Sequence, residues 1–264
     1  MGTRHLICVF WKGKWVVAQY GQFDGYPEGQ GVKILKFLSV ARNIENLKAG
    51  LENHIYEPTK EEIDAIWAEC NAWDEARRAE TDTWQWQPDM VGVKQLYPSL
   101  ARETSAGILG IIARASQTED GGSTEDGAEK KTAKKIPLHP ELEFANDGLF
   151  CEWAYVIDLD NEALEVYGGS EYKHDGHRFK GVGDENQPVP GFVCSFKFSE
   201  IYLMKSDQEF LDKIIEVGDE RAKRDGAGDG GDMQAEEGKD DVEKGDEDED
   251  EDEDGGAGSA KGSP

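Results

Sequence analysis

Two stretches rich in β-branched and aromatic residues, near the two ends of the apolar part of the chain, constrain the fold more than any other feature. In the first, residues 3–10 and 15–23 flank the short Gly-containing turn "KGK" at 12–14, which is typical of a β-hairpin. The second, "CEWAYVIDLDNEALEVYGG" at 151–169, predicts another hairpin with its turn at Asp160-Asn161. Because an isolated hairpin is only marginally stable in water, we expect both hairpins to share one sheet.

Helical patterns occupy the region between the hairpins. Apolar residues recur at spacings of three and four over residues 34–51, which predicts one helix or two short ones. Thr59 and Glu62 match a capping box, so a further helix should begin there. Another helix is expected from about residue 99 to residue 115, and a last one over 207–217.

These elements predict an α+β fold, in which the N- and C-terminal hairpins form an antiparallel sheet and helices from the middle of the chain cover it. Residues 1–217 should make a single domain. Within it, residues 116–136 are rich in Gly, Ser, Thr and charge and lack apolar periodicity, which predicts a disordered polar insertion. Residues 218–264 are predicted to be a disordered acidic tail, because they include an unbroken acidic run at 246–254.

The net charge of −27 disfavours nucleic acids and anionic membranes as partners, since both would repel the protein. The acidic tail can instead attract basic proteins, or it can simply keep the chain in solution. No apolar run approaches the roughly 18 residues of a membrane span, and no secretory signal pattern opens the chain. We therefore expect a location in the cytoplasm or the nucleus. The composition does not indicate an oligomeric state.

Cysteine and histidine spacing predicts neither a metal site nor a cofactor. The four cysteines are far apart and form no C-x-x-C pair, so buried, reduced thiols are expected. His174 and His177 lie in a Gly-rich stretch with no second ligand cluster at metal-binding spacing, which predicts solvent-exposed loop histidines.

The stretch "QFDGYPEGQG" at 22–31 is the best candidate for a ligand loop. Its last glycines precede a predicted helix, where free backbone N–H groups can bind an anion, and nearby basic side chains would add positive charge. The predicted ligand-binding residues are Arg4, His5, Gln22, Asp24, Tyr26, Gly29, Gly31 and Lys33. The alternative interpretation is a simple turn, because an Asp-Gly pair favours one and Gly accepts a positive φ.

The order of Gly2-Thr3, an apolar strand, a Gly turn and a strand ending in "VVA" (16–18) resembles the opening of the N-terminal-nucleophile hydrolases, in particular proteasome β-type subunits. The resemblance implies that cleavage after Gly2 would make Thr3 the catalytic nucleophile, with its own amine as base. It also implies Lys33 as the counterpart of that family's catalytic lysine. The acidic residue that the family places after the alanine is Gln19 here. Alternatively, Thr3 only begins a strand and packs there.

A broader resemblance rests on "MGTR", "AQYGQFDGYPEGQG", "YPSLARETSAGILGII" and "CEWAYVIDLDNEALEVYGG". Together these blocks resemble a family of small intracellular proteins common in fungi, with shorter relatives in bacteria and their phages. The resemblance implies a compact core to which the insertion and the tail are additions, and it implies no activity. Two functional hypotheses follow: a binding or adaptor protein that uses a cleft at the Gly-rich loop and the acidic tail, or an amide hydrolase with Thr3 as nucleophile.

Overall fold

The computed structural model describes residues 2–80, 91–117 and 135–227. The strands are β1 (His5–Trp11), β2 (Lys14–Gly21), β3 (Ile55–Tyr56), β4 (Ile136–Pro137), β5 (Trp153–Asp158), β6 (Ala163–Glu171) and β7 (Val189–Lys197). The helices are α1 (Val32–Leu38), α2 (Ala41–Asn53), α3 (Lys60–Glu80), α4 (Val91–Leu96), α5 (Gly107–Ala115), α6 (Phe198–Ile201) and α7 (Asp207–Ala227). Most of the predicted insertion and of the predicted acidic tail lies outside the described residues. Helix α7 continues to Ala227, beyond the predicted end at Val217.

Five strands form one sheet in the order β2-β1-β5-β6-β7, and β3 pairs separately with β4. The α+β class and the sharing of one sheet by both hairpins are confirmed. The expectation of an entirely antiparallel sheet is wrong at one junction, because β1 and β5 run parallel, from His5 beside Trp153 to Phe10 beside Asp158. A parallel pair needs a long connection, and the helices between the two hairpins provide it.

The turns of the two hairpins are joined to each other. Lys12 and Gly13 both have positive φ (53° and 73°), which is the two-residue turn that matches the twist of the strands. The carboxylate of Asp160, in the turn of the second hairpin, accepts hydrogen bonds from both of their backbone N–H groups, at 2.8 and 2.9 Å. Asp158 in turn accepts the N–H groups of Asp160 and Asn161, which confirms the predicted turn.

Helices cover one face of the sheet. Ile7 and Val9 of β1 point to this face together with Tyr155 and Ile157 of β5, and all four are completely buried. The apolar sides of α1, α2, α5 and α7 pack on them. The helices from the middle of the chain therefore cover the sheet as predicted, with α7 from the C-terminal region added to them.

Irregular segments cover the other face. Leu6 and Cys8 of β1 are buried there beneath the 3₁₀ turn Leu142–Asn146 and the loop 172–188, whose Phe179 is also completely buried. Arg178 holds this loop on the sheet. Its guanidinium forms ion pairs with Asp158 and Glu165, and its Nε donates to Glu165 at 2.9 Å.

The expectation of solvent-exposed histidines in this loop is wrong for His177. Its side chain is buried, and its ring packs against Tyr167 and Phe179. This burial lowers its pKa, because the charged ring would lack the hydration that stabilises it in water. His174 remains exposed and pairs with Glu171.

Helix α5 begins at Gly107 rather than near Ser99. A 3₁₀ turn at Pro98–Leu100 ends at once, and Ser105 has a φ of 47°, which no α-helix accommodates. The segment 101–106 instead follows the outer edge of β2. There the N–H of Gln22 donates to the carbonyl of Arg102 at 3.4 Å.

The capping box at Thr59 is present as predicted, with the Thr59 N–H on Glu62 at 2.8 Å and the Glu62 N–H on the Thr59 hydroxyl at 3.3 Å. All four cysteines lie in the described part of the chain, and all are buried and free. Across the described ranges, no helix combines the length and the apolar character that crossing a membrane requires.

The contact between α2 and α5 depends on a glycine. A Cβ on Gly50 would lie 2.2 Å from the carbonyl oxygen of Ile112, whereas a Cβ on Gly110 would meet only the flexible end of Arg114. We expect Gly50→Ala to lower the free energy of unfolding by about 2 kcal/mol, because backbone must move. Gly110→Ala should raise it by about 0.5 kcal/mol through helix propensity. Urea denaturation of both variants checks this, and equal free energies of unfolding for the two variants would contradict it.

Candidate functional site

The N-terminal end of the sheet brings together several predicted site residues but divides them between two faces. Side chains alternate along an extended chain, so Arg4 lies on the loop-covered side with Leu6, and His5 lies on the helix-covered side with Ile7. The neighbouring strand repeats this division. Gly21 is paired with His5, and Gln22, the next residue, faces the same side as Arg4.

On the loop-covered side the chain forms a cleft of about 460 Å³, called here the arginine cleft. Its lining residues are Arg4, Tyr20, Gln22, Arg102, Glu141, Phe144, Asp147 and Phe150. Aromatic rings shape its walls. The guanidinium carbon of Arg4 lies 4.2 Å from the centre of the Phe150 ring, and Tyr20 meets Phe144 edge to face with ring centres 4.7 Å apart.

The polar groups of the arginine cleft are incompletely paired. Among the described residues no carboxylate forms an ion pair with Arg4 or Arg102. The side-chain oxygen of Gln22 is buried, and no described group donates a hydrogen bond to it. Partial burial raises the pKa of the Glu141 carboxyl group. A buried acceptor without a donor is costly, so these groups together favour a bound molecule.

On the helix-covered side His5 is completely buried between two glycines. A Cβ on Gly21 would lie 2.1 Å from His5 Nε2, and a Cβ on Gly25 would lie 2.8 Å from His5 Nδ1. The ring therefore requires glycine at both positions. His5 Nδ1 lies 3.4 Å from the Thr3 carbonyl oxygen, and Nε2 has no partner in the described chain. Burial lowers the pKa of His5 to about 4.

The Gly-rich loop folds around this histidine as an ordered turn. The N–H of Gly25 donates to the Thr3 carbonyl at 3.0 Å, and the hydroxyl of Tyr155 donates to the Gly25 carbonyl at 2.8 Å. The N–H of Gln30 donates to the carbonyl of Asp24, whose φ is 58°. The turn predicted from the Asp-Gly pair is therefore present.

The remaining predicted ligand residues do not join the arginine cleft. Asp24 and Tyr26 are exposed, and the Tyr26 hydroxyl lies 3.4 Å from the Asp24 carboxylate. Gly29 donates its N–H to the Tyr26 carbonyl, so that group is not free for an anion. Gly31 is buried, and a Cβ there would lie 3.2 Å from the ring of Tyr155. Lys33 is exposed in the first turn of α1, and its charge acts on His5.

Thr3 is half-buried, and its carbonyl is held by Gly25. Gln19 is the residue at which the resemblance to the N-terminal-nucleophile hydrolases would require an acidic side chain. Its side-chain nitrogen donates to the carbonyls of Tyr20 and Ala101, both at 3.3 Å, so it ties β2 to the segment 101–106.

Sequence reasoning missed the residues that distant segments contribute. Arg102 and Ser105 come from the segment before α5, and Phe144 and Phe150 come from the irregular segments on the loop-covered side of the sheet. The only sequence signal was the Thr-Ser pair at 104–105, which disfavours a continuous helix there. The described residues include no group of three or more His, Cys, Asp or Glu arranged to hold a metal ion.

Comparison with protein-family models, with curated proteins and with solved structures gave no match. Both resemblances seen in the sequence therefore stay predictions. What the site does must be argued from the chemistry of its own residues.

The buried His5 predicts a particular dependence of stability on pH. Its pKa of about 4 lies below the 6.5 of an unfolded histidine, so protons bind the unfolded chain preferentially between these values. We expect the contribution of His5 to the free energy of unfolding to be fully present above pH 6.5. It should be lost as the pH falls to about 4, which lowers the free energy of unfolding by about 3 kcal/mol at most. His5→Gln should remove that part of the pH dependence in urea titrations. Replacing the exposed His139 by Gln is the control and should leave it unchanged.

Proposed function

We propose that this protein binds a small molecule carrying a carboxylate or phosphate group in the arginine cleft, with Arg4 and Arg102 holding that group. The observation that carries the proposal is the presence of two guanidinium groups in one concave space without a carboxylate partner from the described chain. A guanidinium offers a planar set of donors that matches the oxygens of both anions.

The other lining residues support a ligand with more than a charge. The cleft volume of about 460 Å³ falls within the range of small-molecule sites. The unpaired oxygen of Gln22 calls for an N–H or O–H donor on the ligand. The rings of Tyr20, Phe144 and Phe150 provide an apolar surface for a flat or aliphatic part.

The charge of the whole chain favours a small ligand over a polyanion. With a net charge of −27, a nucleic acid would be repelled by most of the surface. A single anionic group meets the local field of the cleft, in which Glu141 and Asp147 oppose the two arginines. Of the two surfaces in the binding or adaptor hypothesis, the cleft and the acidic tail, this proposal concerns only the cleft beside the Gly-rich loop. Binding of basic proteins by the acidic tail is a separate prediction, since most of the tail lies outside the described residues.

The test is a thermal-shift and calorimetric screen of citrate, succinate, inorganic phosphate and nucleoside monophosphates against the full chain. The anion that stabilises the protein most should bind 10- to 100-fold more weakly to Arg4→Ala or Arg102→Ala, since a hydrogen bond to a charged group contributes about 1.5–3 kcal/mol. Arg102→Lys should also lose affinity, because it cannot bind two oxygens in a plane.

Arg42→Ala serves as the matched control, because Arg42 is exposed on α2 and lies outside the cleft lining. Its affinity should equal that of the unchanged protein. The proposal is wrong if none of these anions stabilises the protein, or if the double variant of Arg4 and Arg102 binds as tightly as the unchanged chain.

One observation favours the second hypothesis, an amide hydrolase with Thr3 as nucleophile. The charge of Lys33 acts on His5, whose ring approaches the Thr3 carbonyl, so a lysine lies in the neighbourhood that the N-terminal-nucleophile resemblance requires. Against it, Gln19 cannot supply the negative charge of the acidic residue that the family has at that position.

The hydrolase hypothesis requires a free amine on Thr3. We expect the intact mass and N-terminal sequence of protein purified from its own cells to decide it. A chain beginning at Thr3 supports the hypothesis, whereas a chain beginning at Met1 or Gly2 rejects it.

A further inference from the structure

Ser105 and His5 meet across a glycine on the helix-covered side of the sheet. A Cβ on Gly21 would lie 2.1 Å from His5 Nε2 and 2.6 Å from Ser105 Oγ, so both atoms border the same methyl-sized space. The two side chains come from opposite ends of the N-terminal half of the chain. Only the course of the segment 101–106 along β2 brings them together.

Both residues are unusual in ways that a purely structural role does not explain. His5 is completely buried, yet its Nε2 has no hydrogen-bond partner in the described chain. Its Nδ1 faces the Thr3 carbonyl, which can only accept a hydrogen bond, so the proton lies on Nδ1 and Nε2 is the unprotonated nitrogen. Ser105 is buried with a φ of 47°, a conformation that side chains rarely adopt and that clusters at active sites.

We propose that Ser105 is a nucleophile and His5 its general base, acting on an ester or amide substrate. Ser105 Oγ would form a bond to the substrate carbonyl carbon while its proton passes to His5 Nε2. That proton would then go to the leaving alcohol or amine as its bond to carbon breaks. A water oxygen would then bond to the acyl carbon while its proton passes to His5 Nε2. As the bond between that carbon and Ser105 Oγ breaks, the proton would return to Oγ, which releases the acid and restores the serine.

The residue after the serine supplies a donor for the developing oxyanion. The N–H of Ala106 donates to the side-chain oxygen of Gln30 at 3.3 Å. That oxygen belongs to a carboxamide, so Gln30 occupies the place that a substrate carbonyl would take. Backbone donors in this position stabilise the negative charge of a tetrahedral intermediate.

The Gly-rich loop closes this pair from solvent and is the element that must open for a substrate. Hydrogen bonds of Gly25 with Thr3 and Tyr155 and of the Gln30 side chain with Ala106 hold it. Its residues Pro27, Gln30 and Gly31 are also buried, so opening must expose them. Ser105 and His5 are not among the residues lining the arginine cleft, which lies on the other face. The inference therefore stands independently of the proposed anion binding.

The test is reaction of the folded, full-length protein with a fluorophosphonate probe, in which serine oxygen displaces fluoride from phosphorus. We expect one adduct per chain, mapped to Ser105 by peptide mass spectrometry. Ser105→Ala should abolish the adduct, and Gly21→Ala should do so by filling the shared space. His5→Gln should slow the reaction about 100-fold or more, as expected for loss of a general base.

Ser99 provides the matched control, because it is equally buried but its hydroxyl donates to the Pro137 carbonyl at 2.7 Å. Ser99→Ala should react as the unchanged protein does. Gln30→Ala, which frees the Ala106 N–H, should react faster.

No adduct on the folded, unchanged protein, or an adduct mapped to Thr3 or to another serine, would overturn the proposal. Mapping on the unchanged chain needs no variant, so a variant that fails to fold does not obscure the result. An adduct on Ser105 that His5→Gln forms at the same rate, with its fold verified by circular dichroism, would reject His5 as the base.

Discussion

Strand β1 is the element on which the rest of the structure depends. It pairs with β2 on one side and with β5 on the other, and five consecutive residues, 5–9, have no exposed surface. Its backbone groups pair within the sheet, and its apolar side chains point to both faces, because Ile7 and Val9 lie on one and Leu6 and Cys8 on the other. The molecule therefore needs two covers, and their different construction explains where its chemistry lies.

The two covers differ in how they are held. Helices with apolar sides pack on the first face and make a close contact in which Gly50 meets the backbone of Ile112. The second face is covered by irregular segments that cannot supply an equal apolar area, and ion pairs of Arg178 with Asp158 and Glu165 hold them down. Burial alone would raise the pKa of Asp158, but the hydrogen bonds from Asn161 and Arg178 outweigh it and lower this pKa. The arginine cleft opens where this irregular cover reaches the end of the sheet.

The chemistry of the N-terminal end follows from alternation along an extended chain. Arg4 and His5 are neighbours in sequence, yet one lines a solvent-accessible cleft and the other lies in a closed space next to Ser105. The same alternation makes Gly21 a requirement of the buried ring and leaves Gln22 free to face the cleft. Two neighbouring residues thus belong to two chemically different sites, and the Gly-rich loop separates the site of His5 from water.

The sequence by itself determined the features that depend on local interactions. The hairpin turn at Lys12-Gly13, the turn at Asp158–Asn161 and the capping box at Thr59 all involve residues within a few positions of each other, so their patterns could be interpreted directly. The α+β class followed from the order of these elements. Arg4 and Gln22 were predicted as ligand-binding residues because they border the unusual loop, and both line the arginine cleft.

The tertiary structure alone decided the features that depend on distant contacts. β5 runs parallel to β1 after a long connection, and the sequence of that connection does not indicate the direction in which β5 pairs. The late start of α5 depends on the edge of β2, which binds the segment 101–106 in place of a helical turn. Arg102, Ser105, Phe144 and Phe150 could not be predicted as site residues, because packing of three separate segments brings them to the end of the sheet. Hydrogen bonds within a turn are encoded locally, whereas a shared space between distant side chains exists only once the chain has folded.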